Sequence, residues 1–419
     1  MERILMKSNA LNPKVAEICG EIRQRIDRAH LQCFTGYDRP LLLISTTYPG
    51  LWLEHVYDAV CFAKLYPEYL PIAVNTIDLF VTHQTAEGQY PCYFWDINRV
   101  KCAPEETLGY GQTQECVSFA ALALEVCRMT GDPALTARVY ESAARWDGWL
   151  RRYRMTQGTG LVEMFVGFDS GHDNSGRLNG MHFPGYRRID GRVASAAAVP
   201  EPDDCAPIGA VDMTCNLFAT DTALAELAEM LGRTDEAAAW TARAQALKAA
   251  LFTHCWNAGD AFFYDIDRHG VQRKYRSSTI LHLFLEHVLD PAADKACIAE
   301  IAARHLFNPD EFWTPYPFPS MAVNDPSCAG HTDRNCWGYF SQALIALRCT
   351  RWMDDYGFST AFDTLCRQFL AAWTDAYPRF CLGQELHPIT GAPTPSSEWY
   401  SSCMIFYLYA AKRLGLYTE

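Results

Sequence analysis

The sequence predicts an all-α fold: a closed toroid of about twelve paired helices, the (α/α)6 barrel, filling residues 1–419 as a single domain. Three observations predict it. Amphipathic helical hairpins recur along the chain, with apolar residues at three- and four-residue steps. The links between helices alternate between four-residue turns and long, chemically varied segments at 85–112, 155–210, 256–275, 305–336 and 377–396. No Pro/Ser-rich or charge-rich linker divides the chain. An open array of helical repeats would instead keep a fixed period and short, similar links.

The hairpins are clearest at "DTALAELAEMLGRTDEAAAWTARAQALKAALFTHCW" (221–256), where "GRTD" supplies a glycine stop and an aspartate cap. "ECVSFAALALEVCRMTGDPALTARVYESAARWDGWL" (115–150) repeats the layout around "TGDP". "QALIALRCTRWMDDYGFSTAFDTLCRQFLAAW" (342–373) repeats it again around "YGFS". Taken in order, helices are expected near 13–29, 54–66, 68–84, 113–130, 133–154, 211–231, 234–255, 276–288, 292–304, 337–354, 357–376 and 397–414.

Composition narrows the function. A chain that is 49% hydrophobic and 13% aromatic can fill a large core and still line a pocket with rings. Its formal charge of −13, without a basic run, argues against nucleic acid and against an anionic membrane surface as partners. The opening "MERILMKSNALNPKVAEICG" lacks a signal-length apolar core, so a soluble, cytoplasmic protein is expected. The 17 cysteines include no C-x-x-C pair and read as reduced, mostly buried thiols. Nothing requires a metal or a cofactor.

The long links carry the chemistry. "GFDSGHDNSGR" (167–177) sets Asp169 and Asp173 four apart among glycines and short polar groups, with Arg177 at its end. A solvated loop and half of a catalytic site both fit that composition, whereas a calcium cup needs more oxygen ligands in a row than the stretch offers. Glycoside hydrolysis needs a second carboxylate to activate water, and "GQELHPITGAPTPSSEWYSS" (383–402) offers Glu385 and Glu398. In a closed toroid both links reach one mouth. "YPGLWLEHVYD" (48–58) adds Trp52, Glu54, His55 and Asp58. "FWTPYPFPSMAVNDP" (312–326) adds Trp313 and Tyr316, and "DRNCWGYF" (333–340) adds Arg334, Asn335 and Trp337. Together these groups suit a pocket that stacks and hydrogen-bonds a small carbohydrate.

On these residues the chain resembles glycoside hydrolase family 63, in its short bacterial mannosylglycerate and glucosylglycerate hydrolase branch. The resemblance runs from about residue 45 to 414. It rests on "YPGLW", "VDMTCNLFATDTALAELAEMLGR", "CWNAGDAFFYDID", "FWTPYPFPSMAVNDP", "RNCWGYFSQALIAL", "HPITG" and above all "DSGHDNSGR". That last stretch is similar to the family's Glu-x-Gly-x-Asp-Asn-Ser-Pro-Arg. The resemblance implies an (α/α)6 barrel and an inverting glycosidase acting on a small α-glucoside or α-mannoside. It implies Asp173 as general acid, with Asn174 and Arg177 supporting it and touching sugar hydroxyls. Trp52, Gln114, Trp313, Tyr316 and Trp337 would line the sugar pocket.

The chain departs from the family pattern at three places. Asp169 replaces a glutamate, and Gly176 stands where proline is usual, which would loosen that turn. Gln384 occupies the place of the C-terminal glutamate, so Glu385, Glu398 or an altered chemistry must supply the base. A nearby negative Asp169 is expected to help keep Asp173 protonated. Arg187, Arg188 and Arg192 in "GYRRIDGR" would suit an anionic aglycone. Two other readings stand beside hydrolysis. One is a sugar epimerase on the same barrel using histidines such as His55, His172, His331 and His387. The other is a non-catalytic helical scaffold.

Overall fold

The computed structural model describes residues 2–34, 36–45, 47–48, 50–97, 107–114, 116–183, 185–198, 205–329, 336–395 and 397–419, leaving aside the side chains of residues 2–12 and 336. Twelve α-helices lie among the described residues: α1 (Glu2–Arg25), α2 (Val56–Leu65), α3 (Leu70–Thr82), α4 (Phe119–Thr130), α5 (Pro133–Tyr153), α6 (Val211–Met230), α7 (Thr234–Ala250), α8 (His282–Leu285), α9 (Lys295–Ile301), α10 (Ala343–Arg348), α11 (Ser359–Ala376) and α12 (Ser401–Arg413). Each expected helix is present. The three shortest are extended by 3-10 or π turns at 278–281, 302–306 and 349–351.

Even-numbered helices form the inner ring. α6, α10 and α12 are buried on nearly every face, whereas α5 and α11 bury one stripe and expose the other. This inner and outer alternation is what a double ring of helices requires. The ring closes where α12 packs on α2. Ser402 of α12 donates to both oxygens of Asp58 at 2.9 and 2.8 Å, Ser401 donates to the same carboxylate, and the Ser401 N–H bonds Ile44 O at 2.6 Å. One buried apolar cluster runs from Val15 to Ala411.

The turns obey local chemistry. Gly131 ends α4 at φ 62°, and Asp132 caps α5 by accepting from the Ala134 N–H at 2.8 Å. At "GRTD" the expected aspartate cap is not made. Arg233 holds the cap position without a side-chain bond, and Asp235 sits in the first turn of α7, where its charge favours the helix dipole.

Short strands stitch the long links together ahead of the inner helices. Gly50–Trp52, Tyr93–Trp95 and Leu108–Gly109 form a three-stranded sheet, and Ser341–Gln342 pairs antiparallel with Glu385–Leu386. The segments entering α2, α4, α10 and α12 thereby share one mouth of the ring.

Candidate active site

The loop 167–177 is built on three anchors. Asp169 is fully buried, and its carboxylate accepts backbone N–H bonds from Thr113 (3.1 Å), Phe165 (2.9 Å) and Val166 (3.1 Å), with Arg154 Nε 3.6 Å away. Arg177 is also buried and spends its guanidinium on two carboxylates. It reaches Asp212 at 2.6 and 2.9 Å and Asp265 at 2.8 and 3.2 Å. His172 lies 3.3 Å from Asp212 through Nδ1 and packs its ring 4.1 Å from that of Trp337.

Two glycines allow this course. At Gly171 (φ +71°) a Cβ would fall 1.9 Å from Cys116 Sγ, so the backbone passes where no side chain fits. At Gly176 a Cβ would meet Ser327 Oγ at 2.3 Å. Gly176 therefore serves close packing against the 326–328 turn rather than loosening its own, which is held by the Leu178 N–H to Ser175 O bond at 3.0 Å.

Between His172 and Asn174, Asp173 turns the other way, into a cavity of about 220 Å³. Trp52, Glu54, His55, Gln114 and Trp337 line the same cavity. It is smaller than the roughly 300–1,000 Å³ usual for drug-sized ligands, and suits a single sugar ring with the aglycone lying beyond it. Sequence reasoning missed Tyr48, Gln112, Phe168, Tyr186 and Tyr400, which also line it. The available signal was their place in the same links, at "TTYPG", "GYGQTQ", "GFDS", "GYRR" and "SEWYSS".

The two cavity carboxylates have different neighbours. Asp173 is pushed up to about 7, first by burial and then by the charge of Glu54. Burial also raises Glu54, but Arg348 opposes that rise from 3.1 Å, and Gln114 lies 3.5 Å away. His55 is lowered to about 3 by burial and by the charge of Arg348, so it is neutral, with Nε2 3.0 Å from the Tyr400 hydroxyl.

Several expected contacts are not made here. Asp169 is a buried brace, and its charge is absent among the causes that raise Asp173; Glu54 takes that place. Arg177 has its donors engaged by two aspartates and lies outside the cavity lining. Asp58 is occupied by Ser401 and Ser402 in closing the ring. Asn174 is exposed at φ 62°, outside the lining. Trp313 packs on Phe307 and Phe318, and Tyr316 lines a separate small void. Arg334 and Asn335 lie outside the described residues.

Neither expected base lines the cavity. Glu385 is buried, accepting from Gln342 Nε2 (2.9 Å) and Thr394 Oγ1 (2.8 Å) and lining the void beside Tyr316. Gln384, one residue earlier, lines the Asp173 cavity. Successive strand residues point to opposite faces, so the one-residue offset sends the carboxylate away. Glu398 is exposed.

His172, Asp212 and His282 are the one described donor group compact enough for a metal ion, their ligand atoms lying within 4.8 Å of one another. Asp212 is already bound in bidentate fashion by Arg177, and the amide oxygen of Asn216 lies 3.2 Å from His282 Nδ1. The guanidinium holds the place and supplies the charge that a cation would bring, so this cluster reads as the floor that supports Asp173.

The family profile for the mannosylglycerate hydrolase MGH1-like glycoside hydrolase domain matches residues 51–337. The chain belongs to this family. It is accordingly a glycoside hydrolase, in keeping with the resemblance to family 63. The GH63 mannosylglycerate hydrolase from Thermus thermophilus, solved with Tris and D-glycerate, superposes with a TM-score of 0.70 at 17% identity, covering 94% of this chain and 99% of that one. The same enzyme in complex with glucose gives 0.68 at 16%, with the same coverages. Neutral trehalase Nth1 from Saccharomyces cerevisiae gives 0.67 at 13%, covering 90% of this chain and 75% of that one. These likenesses support the helical barrel. A search of curated protein sequences finds no match.

Proposed function

We propose that this glycoside hydrolase inverts a small α-linked glucoside or mannoside, with Asp173 protonating the leaving oxygen and Glu54 accepting the proton of the attacking water. The observation that carries the reading is the pair itself: Asp173 and Glu54 are the two carboxylates among the described lining residues, and Glu54 stands 3.1 Å from the Arg348 guanidinium whereas the charge acting on Asp173 is the negative one of Glu54. Inversion requires an acid and a base on either side of the sugar ring. Asp173 keeps its proton to about pH 7, while the Arg348 ion pair favours the ionised form of Glu54. Trp52 and Trp337 supply faces for the ring, and Gln114 and Gln384 supply amides for its hydroxyls.

The size of the cavity supports a single glycosyl unit, and the relatives suggest its kind. The Thermus enzyme is a mannosylglycerate hydrolase solved with glucose and with D-glycerate. Tyr186, which lines the cavity, leads into the hairpin that carries Arg187, Arg188 and Arg192. That placement suits an anionic aglycone such as glycerate.

Purified protein is to be offered a panel of α-glucosides, α-mannosides and glycosylglycerates, reading released sugar and its first-formed anomer by proton NMR. The expected product is the β-anomer, absent with Asp173→Asn and with Glu54→Gln and retained with Glu385→Gln. A Glu385→Gln variant as inactive as Asp173→Asn, beside an active Glu54→Gln, overturns the assignment of the base. A product of unchanged mass overturns hydrolysis itself.

A further inference from the structure

A glutamine amide is a hydrogen-bond donor at one end and an acceptor at the other, and the two ends have nearly the same shape. Gln114 sets such an amide beside the carboxylate of Glu54. An ionised carboxylate only accepts, so the N–H end has to face it, and a partner must fix that choice. We propose that Gln112 is this partner, a positioning residue that acts on Glu54 through Gln114; the proposal rests on the reading of Glu54 as the base.

The hydrogen bonds run in one direction through three buried side chains. Gln112 Nε2 donates to Gln114 Oε1. Gln114 Nε2 in turn lies 3.5 Å from Glu54 Oε1 and 3.5 Å from Cys116 Sγ. Arg348 takes the other oxygen of Glu54 at 3.1 Å. With its oxygen engaged by Gln112, Gln114 cannot turn that oxygen toward Glu54 without breaking the bond and setting acceptor against acceptor. The arrangement leaves Gln112 Oε1 buried and without a hydrogen bond among the described residues. Such an atom is uncommon in a folded protein and calls for a reason. The fixed direction of the amide pair is that reason here.

The backbone is built to hold this pair. Gln114 sits at φ 53°, in the left-handed region that residues other than glycine seldom adopt. Thr113, between the two glutamines, is tied to the loop of the acid: its N–H donates to Asp169 Oδ1 at 3.1 Å and its hydroxyl to Asp169 O at 2.7 Å. The carbonyl of Gln112 accepts from Gln89 Nε2 at 3.2 Å. Both glutamines reach the same cavity as a result. The segment that braces the Asp173 loop thus also sets the amide that meets the base. The other groups that act on Glu54 are Arg348, Cys116, His55, Asp58 and Asp173. All of them stay in place when residue 112 is changed, so a shift in Glu54 reads the amide.

The test compares Gln112→Met, Gln114→Met and the double variant by carbon-13 NMR titration of the Glu54 carboxyl, which needs no substrate, and by the pH profile of kcat/KM. Gln112→Met keeps the length of the side chain and removes the N–H. It is expected to move the Glu54 titration, and with it the acid limb of the profile, upward by about half a pH unit or more, because the charged form loses a donor. kcat should fall about threefold to tenfold with KM within about twofold. In the Gln114→Met background the same change should add no further shift, since its route is gone. Gln112→Ala takes its place if Gln112→Met does not fold. A titration and acid limb unmoved by the change at 112, or moved equally with and without Gln114, overturn the proposal while an inactive Glu54→Gln keeps the base. A fully active Glu54→Gln overturns the base and this proposal together.

Discussion

The two mouths of one ring of helices are treated oppositely by the same chain. At the front, where the inner helices begin, long links converge and narrow the opening to about 220 Å³ around Asp173. At the rear the connections are short turns, and the hollow is about 850 Å³. Each end contains a carboxylate raised by burial, Asp173 to about 7 and Glu286 to about 6. The front one is raised further by Glu54, while the rear one is eased down by Arg351 and the Ser118 backbone. Burial raises both groups; what parts them is the company, a carboxylate beside Asp173 and a guanidinium with a backbone N–H beside Glu286.

The sharpest way to break this contrast is Asp173→Asn. Turnover should fall by about 10²–10⁴-fold, with the circular dichroism spectrum unchanged. Because the folded state holds the Asp173 proton to about pH 7 and the unfolded chain releases it near 3.8, stability conferred at this position declines as pH rises between those values. Asp173→Asn should therefore melt higher than the parent at pH 8, with the gap closing by pH 4. Equal melting curves across that range would remove the buried-acid reading.

Next in size is Arg177→Met. It strands Asp212 and Asp265 in the core, and loss of one partner from a buried pair costs about 3–5 kcal/mol. Urea denaturation reads that loss, and a change below about 1 kcal/mol, the scale of an exposed pair, would show the network to be solvated. Smaller again is the effect of Glu54→Gln on its neighbour. Removing that negative charge should move the Asp173 titration, followed by carbon-13 NMR of the carboxyl, downward from about 7. In the parent, kcat/KM should decline above that pH as the acid loses its proton. An unmoved titration would mean that burial alone sets Asp173. Smallest of all, Glu286→Gln should leave kcat and KM within about twofold, since the rear mouth takes no part in the chemistry. A large loss would join the two ends.

Helices were legible because burial on one stripe imposes a repeat that composition alone displays. The pairs around "TGDP" and "GRTD" stand where periodicity puts them. The mouth was legible too, because long links can gather only on one side of such a ring. Direction within those links was not. Whether Gln384 or Glu385 meets the cavity depends on a two-residue strand at 385–386, where one step reverses the face. Asp169 and Asp173 look alike in sequence; three backbone N–H groups from Thr113, Phe165 and Val166 claim the first, and no local pattern announces them. Glu54 read as one polar group among several. Its place beside Asp173 comes from chain distant in sequence.

The double grip of Arg177 on Asp212 and Asp265 means that the loop carrying Asp173 rides on the barrel wall rather than as a free flap. With Asp173 as the proposed proton donor, an incoming glycoside would have to conform to a fixed group, and evolution could retune what the enzyme accepts by altering the rim around Tyr48, Gln384 and Tyr400 without moving Asp173.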